Sequence, residues 1–232
     1  MEITNKDLKR RILTISHEHG LSHLGSCLTA VDIIEEIYQT KKRDEKFVLS
    51  AGHAGLALYV VLEKHYGYNA EELFQQSGVH PDRLATRRFI EGTADGYEYP
   101  IDCSTGSLGQ GISIATGMAI ANRDKKVYTL LTDGEMNEGS CYEALEVAHE
   151  LGLGNLEVYI NCNGFGAYKE LSRDHIIDRC RGFTNVNIHF VQTDVSDFPF
   201  LQGLKGHYVT LSESDYEHAN NILREEQAGA VH

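Results

Sequence analysis

An α/β fold built on a mostly parallel sheet is the architecture this sequence predicts, and three observations carry it. Residues 127–131 (VYTLL) and 156–160 (LEVYI) are short apolar runs of strand-forming side chains. Between them Ala144, Leu145, Val147, Ala148 and Leu151 recur at helical spacing, and Gly152 and Gly154 end that helix. The 232 residues suffice for one substantial α/β domain and are awkward for two, so the chain is read as a single domain over 1–232.

The remaining elements follow in order. Residues 8–19 predict a helix with Leu8, Ile12, Leu13 and Ile15 as its apolar stripe, broken at Gly20. A second helix carries Val31, Ile33, Ile34, Ile37 and Tyr38, with Ser26 or Thr29 as its cap. His23 falls in the glycine-flanked loop between them, where position alone favours a surface histidine. Phe47-Val48-Leu49 reads as a short buried strand, and residues 50–55 turn the chain into an apolar helix through Tyr59, Val60 and Leu62. His53 therefore stands at a strand-to-helix junction, where a side chain either enters a ligand cleft or is satisfied by a backbone carbonyl. Residues 68–92 read as irregular and charged, with Leu73 and Phe74 anchoring a short helix.

Gly106, Gly109 and Gly111 permit close backbone approach, and the small-residue helix over 111–121 implies tight packing. A glycine-rich turn before a helix can also cradle an anion, although GxxGxG alone is a weak signal. Further on, residues 174–180 predict a short helix and 186–191 an edge strand. Residues 212–226 predict a last helix with a serine cap and an acidic first turn.

Asp133 and Asn163, at the ends of the two central strands, lie 30 residues apart, about the length of a strand–helix–strand crossover. Such a crossover returns the second strand parallel to the first and brings both ends to one edge of the sheet, the edge at which open α/β sheets bind ligands. A carboxylate, an amide oxygen and backbone carbonyls make an all-oxygen set suited to Mg²⁺, with coordination positions left for phosphate oxygens. Gly134 and Gly139 would let the backbone approach a phosphate at a helix start. Asp-Gly and Asn-Gly are also common turns, so spacing alone leaves both readings open.

The formal net charge of −13, from 34 acidic and 21 basic residues, argues against a nucleic-acid or anionic-membrane surface. It also means that a divalent cation and local donors would have to supply the positive charge for a phosphorylated ligand. Five cysteines, odd in number and without CxxC spacing, suggest buried thiols in a reducing compartment, the cytoplasm. The N-terminus carries no apolar signal core, and no run approaches about eighteen apolar residues.

Four stretches carry a resemblance: SHLGSCLTAVDIIEEIY, FVLSAGHAGLALYVVL, STGSLGQGISIATGMAIA and TDGEMNEGSCYEALEVAHELGLGNL. In residues and in order they resemble the N-terminal, diphosphate-binding domain of the transketolase family of thiamine diphosphate enzymes, over most of residues 8–170. The resemblance implies a three-layer α/β/α thiamine diphosphate-binding fold. It implies that Asp133 and Asn163 hold Mg²⁺ on the cofactor's diphosphate, with the carbonyl of Phe165 as a third ligand. Gly134 and Glu135 would contact the diphosphate and its metal shell through backbone groups. His53 would lie near the diphosphate and the reacting ketose, His23 would meet substrate hydroxyls, and the backbone of Ser107 and Leu108 would face the aminopyrimidine. His80 and His207 correspond to two further family histidines.

The implied activity is transfer of a two-carbon ketol unit from a ketose phosphate to an aldose acceptor. Histidines suit it, because moving hydroxyl protons needs groups that titrate near neutrality. The family takes its activating glutamate from a second, pyrimidine-binding domain, and the residues after Asn163 read as a short tail. The expectation is one half of a split enzyme, completed by a separate pyrimidine-binding subunit in an α2β2 heterotetramer. Relative to the family, Ser22 replaces Gly, Leu24 replaces Pro, and the C-terminal region is shortened from about residue 191. Two other readings remain: a different carboligase of the deoxyxylulose-phosphate-synthase type, and a non-catalytic subunit that retains the fold. The second is disfavoured by the joint presence of Asp133, Gly134, Asn163, His23 and His53.

Overall fold

A computed structural model describes residues 4–76, 101–166, 168–203, 206 and 208–228. His80, His207 and the charged stretch over 77–100 lie outside the described residues.

Four strands, β1 (Lys46–Leu49), β2 (Val127–Thr132), β3 (Leu156–Cys162) and β4 (Asn187–Gln192), form a sheet in the order β1-β2-β3-β4. All three pairings are parallel, as predicted. Every residue of β2 is buried, the mark of a strand covered on both faces.

The strand period of two divides the core into two layers. Phe47, Leu49, Tyr128 and Leu130 face one way, against residues of α1 (Lys6–His19), α2 (Leu24–Thr40), α3 (Gly55–Tyr66) and α8 (Glu213–Ala228). Val48, Val127, Leu131, Val158 and Ile160 face the other way. They meet Ile112 and Ala115 of α5 (Gln110–Ala121), Leu145 and Ala148 of α6 (Gly139–Glu150), and Ile176 of α7 (Arg173–Cys180). The arrangement is helix on sheet on helix. A short helix, α4 (Ala70–Gln76), packs beside α3.

Most boundaries fall within two residues of expectation; α6 begins at Gly139, five residues before the first residue of its expected stripe, and α2 is the informative exception. Neither Ser26 nor Thr29 caps α2: the helix starts at Leu24, and His23 takes the N-cap position in the left-handed region (φ 60°). Thr29 lies inside the helix and turns its hydroxyl back to the Gly25 carbonyl at 3.0 Å, a bond available only once the first turn has formed. The predicted serine cap of α8 is present: Ser212 Oγ accepts the Asp215 N–H at 3.2 Å, and the Ser212 hydroxyl donates to the Asp215 carboxylate at 2.6 Å.

The five cysteines are free thiols. Burial pushes Cys27, Cys141 and Cys162 up to about 12, and Cys180 and the half-buried Cys103 to about 11. No helix among the described residues is long and apolar enough to cross a membrane.

Candidate active site

Parallel pairing of Thr132 with Asn161 brings the ends of β2 and β3 level. The next residues, Asp133 and the 162–164 turn, therefore leave the sheet together at its carboxyl edge. Asp133 is 1% exposed and lies directly across from that turn: its Oδ2 accepts the Gly164 N–H at 2.7 Å, and its Oδ1 accepts the Gly134 N–H at 2.9 Å. Burial raises this carboxyl to about 6, against the opposing pull of those N–H groups.

Asn163 and Asn161 separate clearly. Asn161 is fully buried and points back under the sheet edge: its Nδ2 donates to Thr29 Oγ1 at 2.9 Å and its Oδ1 accepts the Thr193 hydroxyl at 2.5 Å. Both ends of that amide are occupied. Asn163 lines the cleft, with Oδ1 accepting the Phe165 N–H at 3.0 Å.

The cleft, about 240 Å³, is lined by His23, His53, Leu108, Gly134, Asn163 and Phe165, with Tyr208 at its rim. His23 and His53 face each other, ring centroids 5.3 Å apart. The positive φ of His23 carries a local cost of about 1–2 kcal/mol, and it points an otherwise loop-like histidine into the cleft. His53 sits in the single helical turn Gly52–Ala54. That turn docks so closely that a Cβ on Gly52 would come within 2.8 Å of the Gly106 backbone nitrogen.

The glycine-rich loop serves the close approach its glycines permit. Gly109 (φ 77°) abuts Glu138 and Ser140, and Gly111 abuts Ser50, where an added Cβ would lie 2.5 Å from the Ser50 Cα. Two of the three glycines thus serve contact within the protein, and only Gly106 lines the cleft. Leu108 lines it as well; Ser107 is exposed but is not among the lining residues.

Glu135 is not brought into the cleft. It is fully buried, its N–H donates to Thr132 Oγ1 at 3.4 Å, and its carbonyl accepts from Cys141 Sγ and the Glu138 N–H. Its carboxylate accepts the Ser50 hydroxyl at 2.6 Å and the N–H groups of Gly109 and Thr132 at 3.0 and 3.1 Å. Burial drives this group to about 7 despite the three bonds. Sequence reasoning also missed Tyr208, whose ring meets His23 edge-on at 5.8 Å; nothing in its local pattern separates it from any exposed tyrosine.

The donor set fits a hard divalent cation. Asp133 is a buried carboxylate whose hydrogen-bond partners among the described residues are neutral N–H groups, and each of its oxygens retains a lone pair beyond the one used. Asn163 Oδ1 and the Phe165 carbonyl, which lies 3.9 Å from where a Cβ of Gly134 would project, supply further oxygens. A separate group, Glu18, His19 and Glu71, joins α1 to α4 outside the cleft lining; there His19 and Glu71 already pair at 2.8 Å.

Residues 18–197 match the family model described as "Transketolase, thiamine diphosphate binding domain". One of the subunits of the apulose-4-phosphate transketolase of Phocaeicola vulgatus is 32% identical over 178 residues, 70% of this chain and 60% of that protein. Human transketolase is 34% identical over 187 residues, 71% of this chain and 28% of that protein. Among solved structures, transketolase from Campylobacter jejuni superposes with a TM-score of 0.73 at 19% identity, over 94% of this chain and 42% of that one. Transketolase from Leishmania mexicana gives 0.62 at 20% identity, over 99% and 45%. The chain spans less than two thirds of each of these relatives. With most of its length in the family's domain and the sheet-edge cleft in place, this chain belongs to the transketolase family, as a member of its N-terminal, thiamine diphosphate-binding domain.

Proposed function

We propose that this chain is the diphosphate- and Mg²⁺-binding subunit of a split transketolase, which moves a two-carbon ketol unit from a ketose phosphate to an aldose acceptor. One observation carries the reading: Asp133, a buried carboxylate without a cationic partner among the described residues, stands beside a cleft that gathers Asn163, Phe165, His23 and His53. In a chain of net charge −13, that carboxylate is a natural seat for a cation that in turn holds phosphate oxygens. Asp133, Asn163 and the Phe165 carbonyl would hold the metal. When bound, thiamine diphosphate supplies the nucleophilic carbon that attacks the ketose carbonyl.

The chain's own contribution is to orient and to move protons. His23 and His53 would exchange protons with substrate hydroxyls, and Tyr208 at the rim would bound the space for the sugar. A cleft of about 240 Å³ among the described residues leaves room for a second wall from a partner. The similarity to a relative that is itself named as one subunit of a transketolase supports the same division. The partner would be a pyrimidine-binding subunit that brings the activating glutamate, in an α2β2 assembly.

Co-expression with that subunit, followed by a screen of ketose-phosphate donors and aldehyde acceptors, tests the proposal. Ketol transfer that requires both Mg²⁺ and thiamine diphosphate is the expected result. No product with any donor would overturn it.

A further inference from the structure

The buried carboxylate of Glu135 touches three of the segments that form the cleft. Ser50, bonded to Oε1, closes β1 just before the turn that carries His53. Gly109, bonded to the same oxygen, directly follows Leu108 in the cleft wall. Thr132, whose N–H meets Oε2, immediately precedes Asp133. The glycine contacts reinforce the junction, since Gly111 packs on Ser50 and Gly52 packs on Gly106.

A charge-bearing group buried without a cation is expensive, and an apolar side chain of similar volume would avoid that expense. An ionised carboxylate can receive three donors from three separate segments, which an apolar side chain cannot. We propose that Glu135 is a positioning residue: its buried carboxylate clasps the His53 turn and the Leu108 loop to the strand end that carries Asp133, so that cofactor binding depends on a side chain outside the cleft. The second half of this statement rests on the function proposed above; the clasp itself does not.

Glu135→Gln is the informative variant. An amide offers one oxygen and one NH₂ group. Whichever way it turns, the NH₂ faces the N–H of either Gly109 or Thr132, and one backbone donor loses its acceptor. Val158→Ala, in the buried layer on the α5–α7 side and absent from the cleft lining, is the control that lowers stability without touching the clasp.

Residue-resolved hydrogen exchange on the chain should show faster exchange at Gly109 or Thr132 in Glu135→Gln and not in Val158→Ala. Unchanged exchange at both amides would overturn the clasp. In the complex with the pyrimidine-binding subunit, Mg²⁺-dependent thiamine diphosphate binding should weaken by about tenfold or more in Glu135→Gln, the range seen when a supporting residue is removed from a metal site. It should stay at the wild-type level in Val158→Ala. Wild-type affinity in Glu135→Gln, or equal loss in both variants, would overturn the positioning role. If the wild-type complex takes up no cofactor, the proposed function falls, and the exchange result still decides the clasp.

Discussion

Asp133 and Glu135 at the carboxyl edge of the sheet and Glu157 at its amino edge are buried carboxylates in opposite surroundings. At the carboxyl edge, Asp133 and Glu135 are buried among neutral donors, and burial lifts them to about 6 and about 7. At the amino edge, Glu157 on β3 is also buried, and burial likewise pushes it up. There Lys126 at 2.7 Å and His189 at 2.9 Å outweigh that push and hold it below the usual carboxylate range. Size does not mark the candidate site. A hollow of about 580 Å³ at the amino edge, lined in part by Lys126, Tyr128, Glu157, Tyr159 and His189, exceeds the 240 Å³ cleft. Ion pairing separates two of the acids better: Glu157 meets Lys126 and His189, whereas Asp133 meets only neutral N–H groups among the described residues.

Removing Asp133 from the carboxyl edge should have the largest effect. Asp133→Ala is expected to cut Mg²⁺-dependent cofactor binding by more than about 100-fold, since a direct ligand should count for more than its supporting neighbours. Circular dichroism should still report the native fold. Retained binding would place the metal elsewhere and erase the contrast between the edges.

The histidines come next. His23→Ala and His53→Ala should each lower turnover by about 10²–10⁴-fold, the usual contribution of proton transfer, while cofactor affinity changes little. A variant with normal turnover would remove that histidine from the chemistry.

The pH dependence sharpens the comparison directly. A carboxyl whose folded pKa is raised binds its proton more tightly in the folded state, so the metal-free chain should lose stability as pH rises. The loss runs from about the unfolded values of 3.8 and 4.5 up through 6 for Asp133 and 7 for Glu135. Melting temperature without metal should be lower at pH 8 than at pH 5.5, and Mg²⁺ should recover part of the difference at pH 8. Asp133→Asn should flatten the slope; an unchanged slope would mean that Asp133 does not titrate in that window.

The smallest effect belongs to the amino edge. Lys126 is half-exposed, so its pair with Glu157 is screened by solvent, and Lys126→Ala should cost less than about 1 kcal/mol. Cofactor binding should not change. A large loss of binding would show that the two edges are coupled.

Much of the scaffold is legible in the sequence because it rests on periodicity. The runs around Val127 and Leu156, the helical spacing from Ala144 to Leu151 and the strand-to-helix junction at His53 all lie where local pattern placed them. What periodicity could not supply is direction, which only the family resemblance gave by picking Asn163. Asn161 and Asn163 are two residues apart, yet one turns inward to Thr29 and Thr193 while the other lines the cleft. That difference depends on contacts with α2 and with the segment after β4, both distant in the chain. Likewise, the glycines of GxxGxG announce a close approach but not its partners: those of Gly109 and Gly111 are Ser140, Glu138 and Ser50, far away in sequence. For Glu135 the resemblance pointed to the backbone, and the bonding of its side chain was not legible because its partners come from three separate segments.

The thiols carry a practical consequence. Four of the five are buried and all are shifted well above neutrality, so the native protein presents almost no reactive thiolate. An alkylating reagent at pH 8 would label the four buried thiols only as fast as the surrounding structure opens. Cys141, beside the glycine-rich loop, and Cys162, just before Asn163, would then time the breathing of the two walls of the cleft, each read by mass spectrometry at its own peptide.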